Sequence, residues 1–479
     1  MVTYIRGKGD RNLHSLVNLE NGEVSREVYV NEDIYAQELE QVFGRAWLFV
    51  GHESQVANPG DFVLSLMGEE EVILTRDRKG VIHVFLNTCR HRGMKVCRYD
   101  DGNALVFTCP FHAWTYDTDG RLVGVPHHKD AYFEELDKSQ WGLAEVAQMC
   151  NYYGSIWATW DSKAPSFEDY LGPFAETVRW AFMGSDGEDN GLELFKPAQR
   201  WRLPTNWKFP AFSFAGDSAH AAMTHLSVNA AAIGPQGDDK DGGGRHPLKA
   251  PFPAKNGYMA VPELGHSGQL AIFEQPGIAP YLETWLMESG VDEYFREQHE
   301  IRRKKVGDKY IHMQGASPGP FGGGQFHIFP NVTMSNFRIL PWHPHGVGMT
   351  EAWRLYQVDR NAPKHVKDAI RHFVMRYCGP GGVTESDDME NWNYAHPASL
   401  GLIAQRYPYN FQLGLNHNHT DDRIPGVTIG DKGPSELNQR SRLTRWVEFM
   451  EARSWDDIYP VHTSKNGSSN GHKNGHGKL

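Results

Sequence analysis

The sequence lacks the features that would mark a membrane-spanning, secreted or nucleic-acid-binding protein. No apolar run in its 479 residues reaches the length of about eighteen that spans a bilayer. Residues 1–8 contain no apolar signal core, so a cytoplasmic protein is expected. Its five cysteines do not make a disulfide framework, which fits a reducing compartment. The net charge of -11 argues against nucleic acid and anionic membrane surfaces as partners. The sequence also has no flavin or dinucleotide fingerprint.

Two short pairs of cysteine and histidine are the most informative feature that is present. Cys89 and His91 form the first pair, and Cys109 and His112 follow after a gap of seventeen residues. Each pair comes after a strand-like apolar run and lies in a turn-like setting. Two thiolates on one iron and two imidazoles on the other are typical of a Rieske [2Fe-2S] cluster. The alternatives are a structural zinc site, which more often pairs like with like, and four unrelated core residues.

A second candidate metal site involves His220 and His225. A mononuclear non-haem iron that binds O2 typically uses two histidines and one carboxylate. Five residues apart on a regular helix, the two side chains point about 140° apart, so a distorted helix is needed. The motif is weak alone, but a redox cluster needs an electron acceptor. The third ligand is expected among four acidic residues that the sequence does not rank, and a solvated helix start is the alternative use of these acids. They are Glu385, Asp387, Asp388 and Glu390.

The apolar pattern predicts a division of the chain into four parts. These are an N-terminal helical segment (1–45), a small all-β cluster domain (46–160), a larger domain that mixes helix and strand (161–460), and a disordered tail (461–479). Strands are expected at 326–340 and 349–358, and a helix at 363–377. The polar, glycine-rich segment 234–247 is interpreted equally well as a lid and as a solvated insertion.

Nearly the whole chain resembles the α (large, catalytic) subunit of the Rieske non-haem iron aromatic-ring-hydroxylating dioxygenases. The resemblance rests on both cysteine–histidine motifs and on segments 206–225 and 387–392. It implies an α+β fold: a small all-β Rieske domain, and a larger catalytic domain with a curved antiparallel sheet and helices, against which the N-terminal segment packs. It also implies that Asp388 is the third iron ligand. In the same way, Asp217 would bridge an iron-site histidine to a cluster histidine of the neighbouring subunit.

The resemblance further implies the function and the partners. The chain would be the catalytic subunit of a multicomponent dioxygenase that uses O2 and NADH for cis-dihydroxylation of a polycyclic or substituted aromatic substrate. Its cofactors would be the Rieske 2Fe-2S cluster and a mononuclear non-haem Fe(II), with O2 as co-substrate. Electrons would come from a ferredoxin and an NADH-dependent reductase. A small β subunit would complete an α3β3 hexamer.

The chain departs from the family pattern around the expected substrate pocket. Phe212 and Ser213 replace a usual Glu-Asn, Ala219 replaces Tyr, Met223 replaces a frequent Trp, and Ala113 replaces a frequent Gly after the cluster. Phe212, Ala219 and Met223 are therefore expected to line a reshaped pocket, with ordinary core packing as the alternative use of each.

Three other functions remain open from the sequence. Arg338 or His327 facing the pocket would favour an aromatic carboxylate such as a phthalate, although a surface ion pair is the expected use of Arg338. A Rieske monooxygenase or demethylase would insert one oxygen atom and need no β subunit. A simple electron carrier would need only about the first third of the chain.

Overall fold

Between residues 46 and 160 the chain is built mainly of short antiparallel strands, which follow a segment that contains two short helices. The structure is a computed structural model that describes residues 13–214, 216–217, 219–225, 257–261, 263–272, 290–306, 313–314, 325–335, 337–422, 425–430 and 434–458. Its elements up to residue 160 are β1 (Val17–Asn18), β2 (Glu23–Val24), α1 (Glu27–Val30), α2 (Glu32–Glu38), β3 (Leu48–His52), β4 (Asp61–Met67), β5 (Glu70–Arg76), β6 (Ile82–Leu86), β7 (Asp101–Asn103), β8 (Val106–Thr108), β9 (Thr115–Asp117), β10 (Leu122–Gly124), β11 (Gln148–Tyr152) and β12 (Ser155–Thr159).

Three antiparallel sheets organise the residues between 46 and 160. Their strand orders are β6-β5-β4-β7, β10-β9-β8 and β11-β12-β3. The cysteine–histidine pairs follow β6 and β8, so the sheets position both of them. This agrees with the expectation of two loops on a β scaffold.

The remainder of the chain combines helices with one large sheet. Its elements are α3 (Phe167–Leu171), α4 (Ala175–Ala181), β13 (Leu192–Leu194), β14 (Gln199–Leu203), α5 (Lys208–Phe214), α6 (Ala221–Thr224), β15 (Gly257–Val261), β16 (Ser267–Ile272), α7 (Val291–Val306), β17 (Met313–Gln314), β18 (Gln325–Ile328), β19 (Val332–Ser335), β20 (Arg338–Pro344), β21 (Thr350–Asp359), α8 (Lys364–Tyr377), α9 (Val383–Ser399), β22 (Tyr409–Asn410), β23 (Asn418–His419), β24 (Thr428–Gly430), α10 (Leu437–Glu451) and α11 (Trp455–Ile458).

Eleven of the described strands form that sheet. The main order is β13-β21-β20-β19-β18-β16-β15-β24-β23, with β14 paired to β21 and β17 to β16, all antiparallel. Every residue of β20 is buried, as are nearly all of β21. Helix α10 packs against β15 and β16, and α9 packs against β14. The fold is therefore the mixed arrangement of helices and antiparallel sheet that was expected.

The N-terminal segment is joined to the larger region by a buried polar network. Glu38, at the end of α2, is fully buried. Its carboxylate accepts hydrogen bonds from the indole nitrogens of Trp207 and Trp446, both at 2.8 Å, and from Lys208 Nζ at 2.5 Å. Trp207 and Lys208 precede and begin α5, so this network holds the segment against the helix that leads into His220.

Most local predictions agree with the structure. The helical segment expected over 1–45 contains α1 and α2 in its described part, and α2 continues as a π-helical stretch, Leu39–Phe43. The strand region expected at 326–340 is three strands, β18 to β20, and the helix expected at 363–377 is α8. Segment 234–247 and the tail 461–479 lie outside the described residues. Among the helices the structure describes, none is long and apolar enough to cross a membrane.

Candidate metal centres

The first cysteine–histidine loop is a tight turn closed at both ends by backbone hydrogen bonds. The Cys89 N–H donates to the Met94 carbonyl at 2.8 Å, and the Gly93 N–H donates to the Cys89 carbonyl at 2.9 Å. Gly93 has a φ of +71°, a left-handed conformation that glycine adopts at little cost. His91 lies within this turn, two residues after Cys89.

The second loop repeats the same pattern. The Cys109 N–H donates to the Trp114 carbonyl at 2.8 Å, and the Ala113 N–H donates to the Cys109 carbonyl at 3.0 Å. Ala113 takes the position of Gly93 and has a φ of +55°, which strains a residue with a Cβ atom. The two loops therefore have equivalent backbone structure, which the different spacings C-x-H and C-x-x-H do not reveal.

The four side chains meet as a thiol pair and an imidazole pair. Cys89 and Cys109 are buried, 3% and 2% exposed. The ring centroids of His91 and His112 are 4.6 Å apart, and His91 stacks on Trp114 at 4.9 Å with an interplanar angle of 7°. The Tyr116 hydroxyl is 3.3 Å from Cys89 Sγ and orders that thiol.

The protonation chemistry of these side chains fits iron ligation. Burial raises the pKa of the Cys109 thiol, and the adjoining Cys89 thiol raises it further, so a bound cation is needed to favour the thiolates. Burial lowers the pKa of His91, as does neighbouring His112, which favours the neutral imidazole that binds metals. His91 Nδ1 is buried, and no described group forms a hydrogen bond with it.

The arrangement suits two metal ions better than one. A tetrahedral zinc site would bring all four ligand atoms close together around one ion. In the described part of the chain, one group of three or more potential ligands has all its ligand atoms within 4.8 Å of one another. That group does not include the two cysteines and two histidines of these loops. The cysteines and histidines thus form two pairs, which favours the cluster over zinc.

That other group consists of His220, His225 and Asp388. The two histidines flank α6, a single turn of only four residues, and their ring centroids are 5.2 Å apart. Nε2 of His220 is 3.3 Å from Asp388 Oδ1, and Nε2 of His225 is 3.5 Å from the same oxygen. A short helix with a ligand at each end, rather than a distorted long helix, brings the two imidazoles together.

Helix α9 separates the roles of its four acidic candidates. Glu385 is buried and forms a two-pronged ion pair with Arg354, in which Nε lies 3.2 Å from Oε2. Glu390 is exposed. Asp387 faces Nδ1 of the second histidine at 3.5 Å, and Asp388 lies between the two imidazoles.

Carboxylates also face the outer nitrogens of the two histidines. Asp217 Oδ1 is 3.6 Å from His220 Nδ1. Burial lowers the pKa of His220, but Asp217 and Asp388 outweigh it and raise the pKa to about 10. The site therefore stabilises positive charge between the ligands. An imidazole whose outer nitrogen faces a carboxylate is the usual setting of a metal-binding histidine.

The expected pocket residues do not share one environment. Phe212 is buried and packs edge-on against Trp207 at 5.5 Å, whereas Ala219 is exposed and Met223 is 61% exposed. Both ring nitrogens of His327 are occupied, by the Thr333 hydroxyl and the Pro330 carbonyl, so its role is structural.

Arg338 corrects an expectation. It is buried, 7% exposed, and its guanidinium lies over the Phe214 ring at 5.8 Å, so it does not lie at the surface as expected. The sequence also gave no separate role to Asp387 or Tyr116. Two adjacent aspartates, and a tyrosine seven residues after the second cysteine, were the available signals.

Comparisons with known proteins agree with this arrangement. The family described as Rieske [2Fe-2S] domain matches residues 46–145. The chain is 34% identical to the biphenyl dioxygenase subunit alpha of Paraburkholderia xenovorans (strain LB400), over 94% of this chain and 95% of that one. It is 35% identical to the biphenyl 2,3-dioxygenase subunit alpha of Rhodococcus jostii (strain RHA1), over 93% of each.

A solved structure of naphthalene 1,2-dioxygenase with indole bound in the active site has the same fold. It is 28% identical, with a TM-score of 0.81, covering 94% of this chain and 96% of that one. The chain therefore belongs to the family of the α subunits of Rieske-type aromatic-ring dioxygenases.

Proposed function

We propose that this chain holds a Rieske cluster and a mononuclear Fe(II) and catalyses cis-dihydroxylation of a neutral aromatic hydrocarbon. The cluster ligands are Cys89, His91, Cys109 and His112. The iron ligands are His220, His225 and Asp388. The observation that carries the proposal is the convergence of two Nε2 atoms on one buried carboxylate, with a further carboxylate facing the Nδ1 of each histidine.

When bound, the cluster would supply single electrons, and the iron would supply the O2 activation needed to add both oxygen atoms to one face of an arene. The chain's own residues prepare this chemistry. Asp217 faces the outer nitrogen Nδ1 of His220 at 3.6 Å, which favours a proton on that nitrogen and leaves the Nε2 lone pair directed at the metal position. Asp217, one third exposed, is also the proposed link from His220 to a cluster histidine of an adjacent subunit.

The described side chains favour a neutral substrate over an aromatic carboxylate. Arg338 is the cation that would have gripped a carboxylate, but it is buried, 7% exposed, and its guanidinium lies over the Phe214 ring at 5.8 Å. The ring of His327, on β18, forms a hydrogen bond with the Thr333 hydroxyl on the neighbouring strand β19. The relatives are named for biphenyl, benzene and naphthalene, which are all uncharged.

The partners belong to the same proposal. Electrons come from NADH through a reductase and a ferredoxin, and a small β subunit completes an α3β3 hexamer in the cytoplasm. Family membership supports this assembly, and the lack of a dinucleotide fingerprint in the sequence supports a separate reductase. Copurification with a coexpressed β subunit, followed by mass measurement of the native complex, tests the stoichiometry.

A single-turnover reaction tests the chemistry without partner proteins. The purified protein is reduced anaerobically and mixed with doubly labelled O2 and separate samples of naphthalene, phenanthrene, biphenyl, phthalate, terephthalate and salicylate. A cis-diol with two labels from a neutral arene is the expected product. A diol from a carboxylate alone would refute the substrate class, and a singly labelled product would favour the monooxygenase.

Site variants separate the two metals. His220→Ala is expected to lose the mononuclear iron and retain the cluster's electron paramagnetic resonance signal. Asp217→Ala at saturating iron is expected to retain both metals but to leave the cluster reduced when O2 and substrate are added. Rapid reoxidation of that cluster, coupled to product, would refute the role of Asp217. An iron-to-sulfide ratio of two to two in the wild type would favour a simple electron carrier.

A further inference from the structure

One turn of helix α9 contacts Thr224, the last residue of α6, and His225, which follows it. Asp387 Oδ2 is 3.5 Å from His225 Nδ1, and Asp388 Oδ1 is 3.5 Å from His225 Nε2. The Asn391 amide donates to the Thr224 hydroxyl at 3.1 Å and to the Asp387 carbonyl at 3.3 Å. Asp387 and Asn391 are four residues apart, so they lie on the same face of the helix.

We propose that Asp387 is the positioning residue for His225. This inference rests on the proposed iron site. Because Asp387 faces Nδ1, it favours the tautomer with the proton on that nitrogen, and the Nε2 lone pair is then available to the metal. The Asn391–Thr224 hydrogen bond restrains the backbone next to His225, so the ring has one favoured orientation.

The proposal gives the two histidines different supports. Asp217, which faces His220, comes from the same loop as its histidine, three residues earlier. Asp387 comes from another element, α9, where it directly precedes the proposed ligand Asp388. Helix α9 thus supplies both a ligand and the group that orients a second ligand, so the two move together.

Burial supports a specific role over that of a solvated helix charge. The side chain of Asp387 is 22% exposed, and that of His225 is 19% exposed. Glu390, three residues further along the same helix, is exposed. Glu390 therefore provides a matched control, in which a carboxylate of the same helix is neutralised away from the histidines.

Metal affinity tests the proposal independently of catalysis. The mononuclear site is emptied with a chelator in protein that retains its cluster, and Co²⁺ is titrated while its visible d–d absorption is recorded. Asp387→Asn keeps the shape of the side chain but removes its charge. It is expected to weaken Co²⁺ binding by about 10- to 100-fold and to change the d–d spectrum. Glu390→Gln is expected to match the wild type in both.

The outcomes separate this inference from the proposed function. If wild-type protein binds Co²⁺ and His220→Ala does not, the iron site itself is supported. If Asp387→Asn then loses less than about 10-fold in affinity, or if Glu390→Gln loses as much as Asp387→Asn, the positioning role is refuted. If the wild type binds no Co²⁺ at His220, the proposed function fails. The cluster spectrum and far-ultraviolet circular dichroism show that each variant is folded.

Discussion

Replacing Lys208 by methionine is the sharpest test of how the iron-site helix is held. Lys208 begins α5 and is 1% exposed, and its partner Glu38 is fully buried. Methionine approximates the length of lysine but carries no charge. The variant therefore leaves the Glu38 carboxylate buried with two indole N–H donors and no cation.

The expected cost follows from the fate of the remaining charge. Removing one partner of a buried ion pair typically costs about 3–5 kcal/mol, because the other charge is left uncompensated. Two hydrogen bonds from Trp207 and Trp446 still stabilise Glu38, so a value near the lower end, about 3 kcal/mol, is expected. Adding Glu38→Gln removes the stranded charge and keeps an oxygen acceptor at one of the two positions to which the indoles of Trp207 and Trp446 donate. The double variant is therefore expected to be more stable than Lys208→Met alone, by about 1–2 kcal/mol.

Urea unfolding followed by tryptophan fluorescence measures both effects, since Trp207 and Trp446 contact the network. The two single variants and the double variant complete a thermodynamic cycle. A cost below about 1 kcal/mol for Lys208→Met would refute the reasoning, because the pair would then behave like a surface salt bridge. Additive single costs in the double variant would refute it as well, because they would show that the two charges do not interact.

Three further predictions concern His343, Gly216 and Ala113. Burial lowers the pKa of His343 to about 3, so between that value and its ordinary 6.5 the unfolded chain binds the extra proton. The stability that neutral His343 contributes therefore falls by about 1 kcal/mol between pH 6.5 and 5.5, and the slope approaches about 1.4 kcal/mol per pH unit at lower pH. His343→Phe should reduce the loss of stability against urea between pH 6.5 and 5.5 by that amount, and an unchanged slope would contradict this. Gly216 has a φ of +120°, and a Cβ added there would lie 1.8 Å from Asn438 Nδ2. Gly216→Ala should therefore abolish Co²⁺ binding at His220, and retained binding would show that the loop can move aside. Ala113→Gly should stabilise the cluster loop by about 0.5–1 kcal/mol, because glycine relieves the strain of the left-handed conformation. The visible circular dichroism of the cluster should then be lost at a higher midpoint temperature, and a lower midpoint would refute this.

The cluster site was predictable because its information is local. Each cysteine lies within three residues of its histidine, and each pair is carried by one turn between strands. Thiols and imidazoles in mixed pairs restrict the chemistry to very few metal groups. The sequence did not predict that the two loops have equivalent backbones. This equivalence depends on a left-handed conformation at residues 93 and 113, and alanine at residue 113 does not indicate such a conformation.

The iron site was less predictable from residue chemistry because one of its parts comes from far along the chain. Helix α9 follows α6 by more than 150 residues, and its acids are alike as side chains. Family resemblance chose Asp388, but the physical distinction comes from tertiary partners. Arg354 engages Glu385, solvent surrounds Glu390, and only the two aspartates face histidines.

The two elements that support the iron site are each anchored by a buried ion pair at their start. Helix α5 begins at Lys208, paired with Glu38, and leads into the loop that carries His220. Helix α9 has Glu385 in its first turn, paired with Arg354, one turn before Asp388. Buried pairs of this kind add little net stability, because desolvation offsets their attraction, but a displaced partner is costly. Their value here is geometric: each pair restricts its helix to one position, so three ligands from two separate segments meet around one metal.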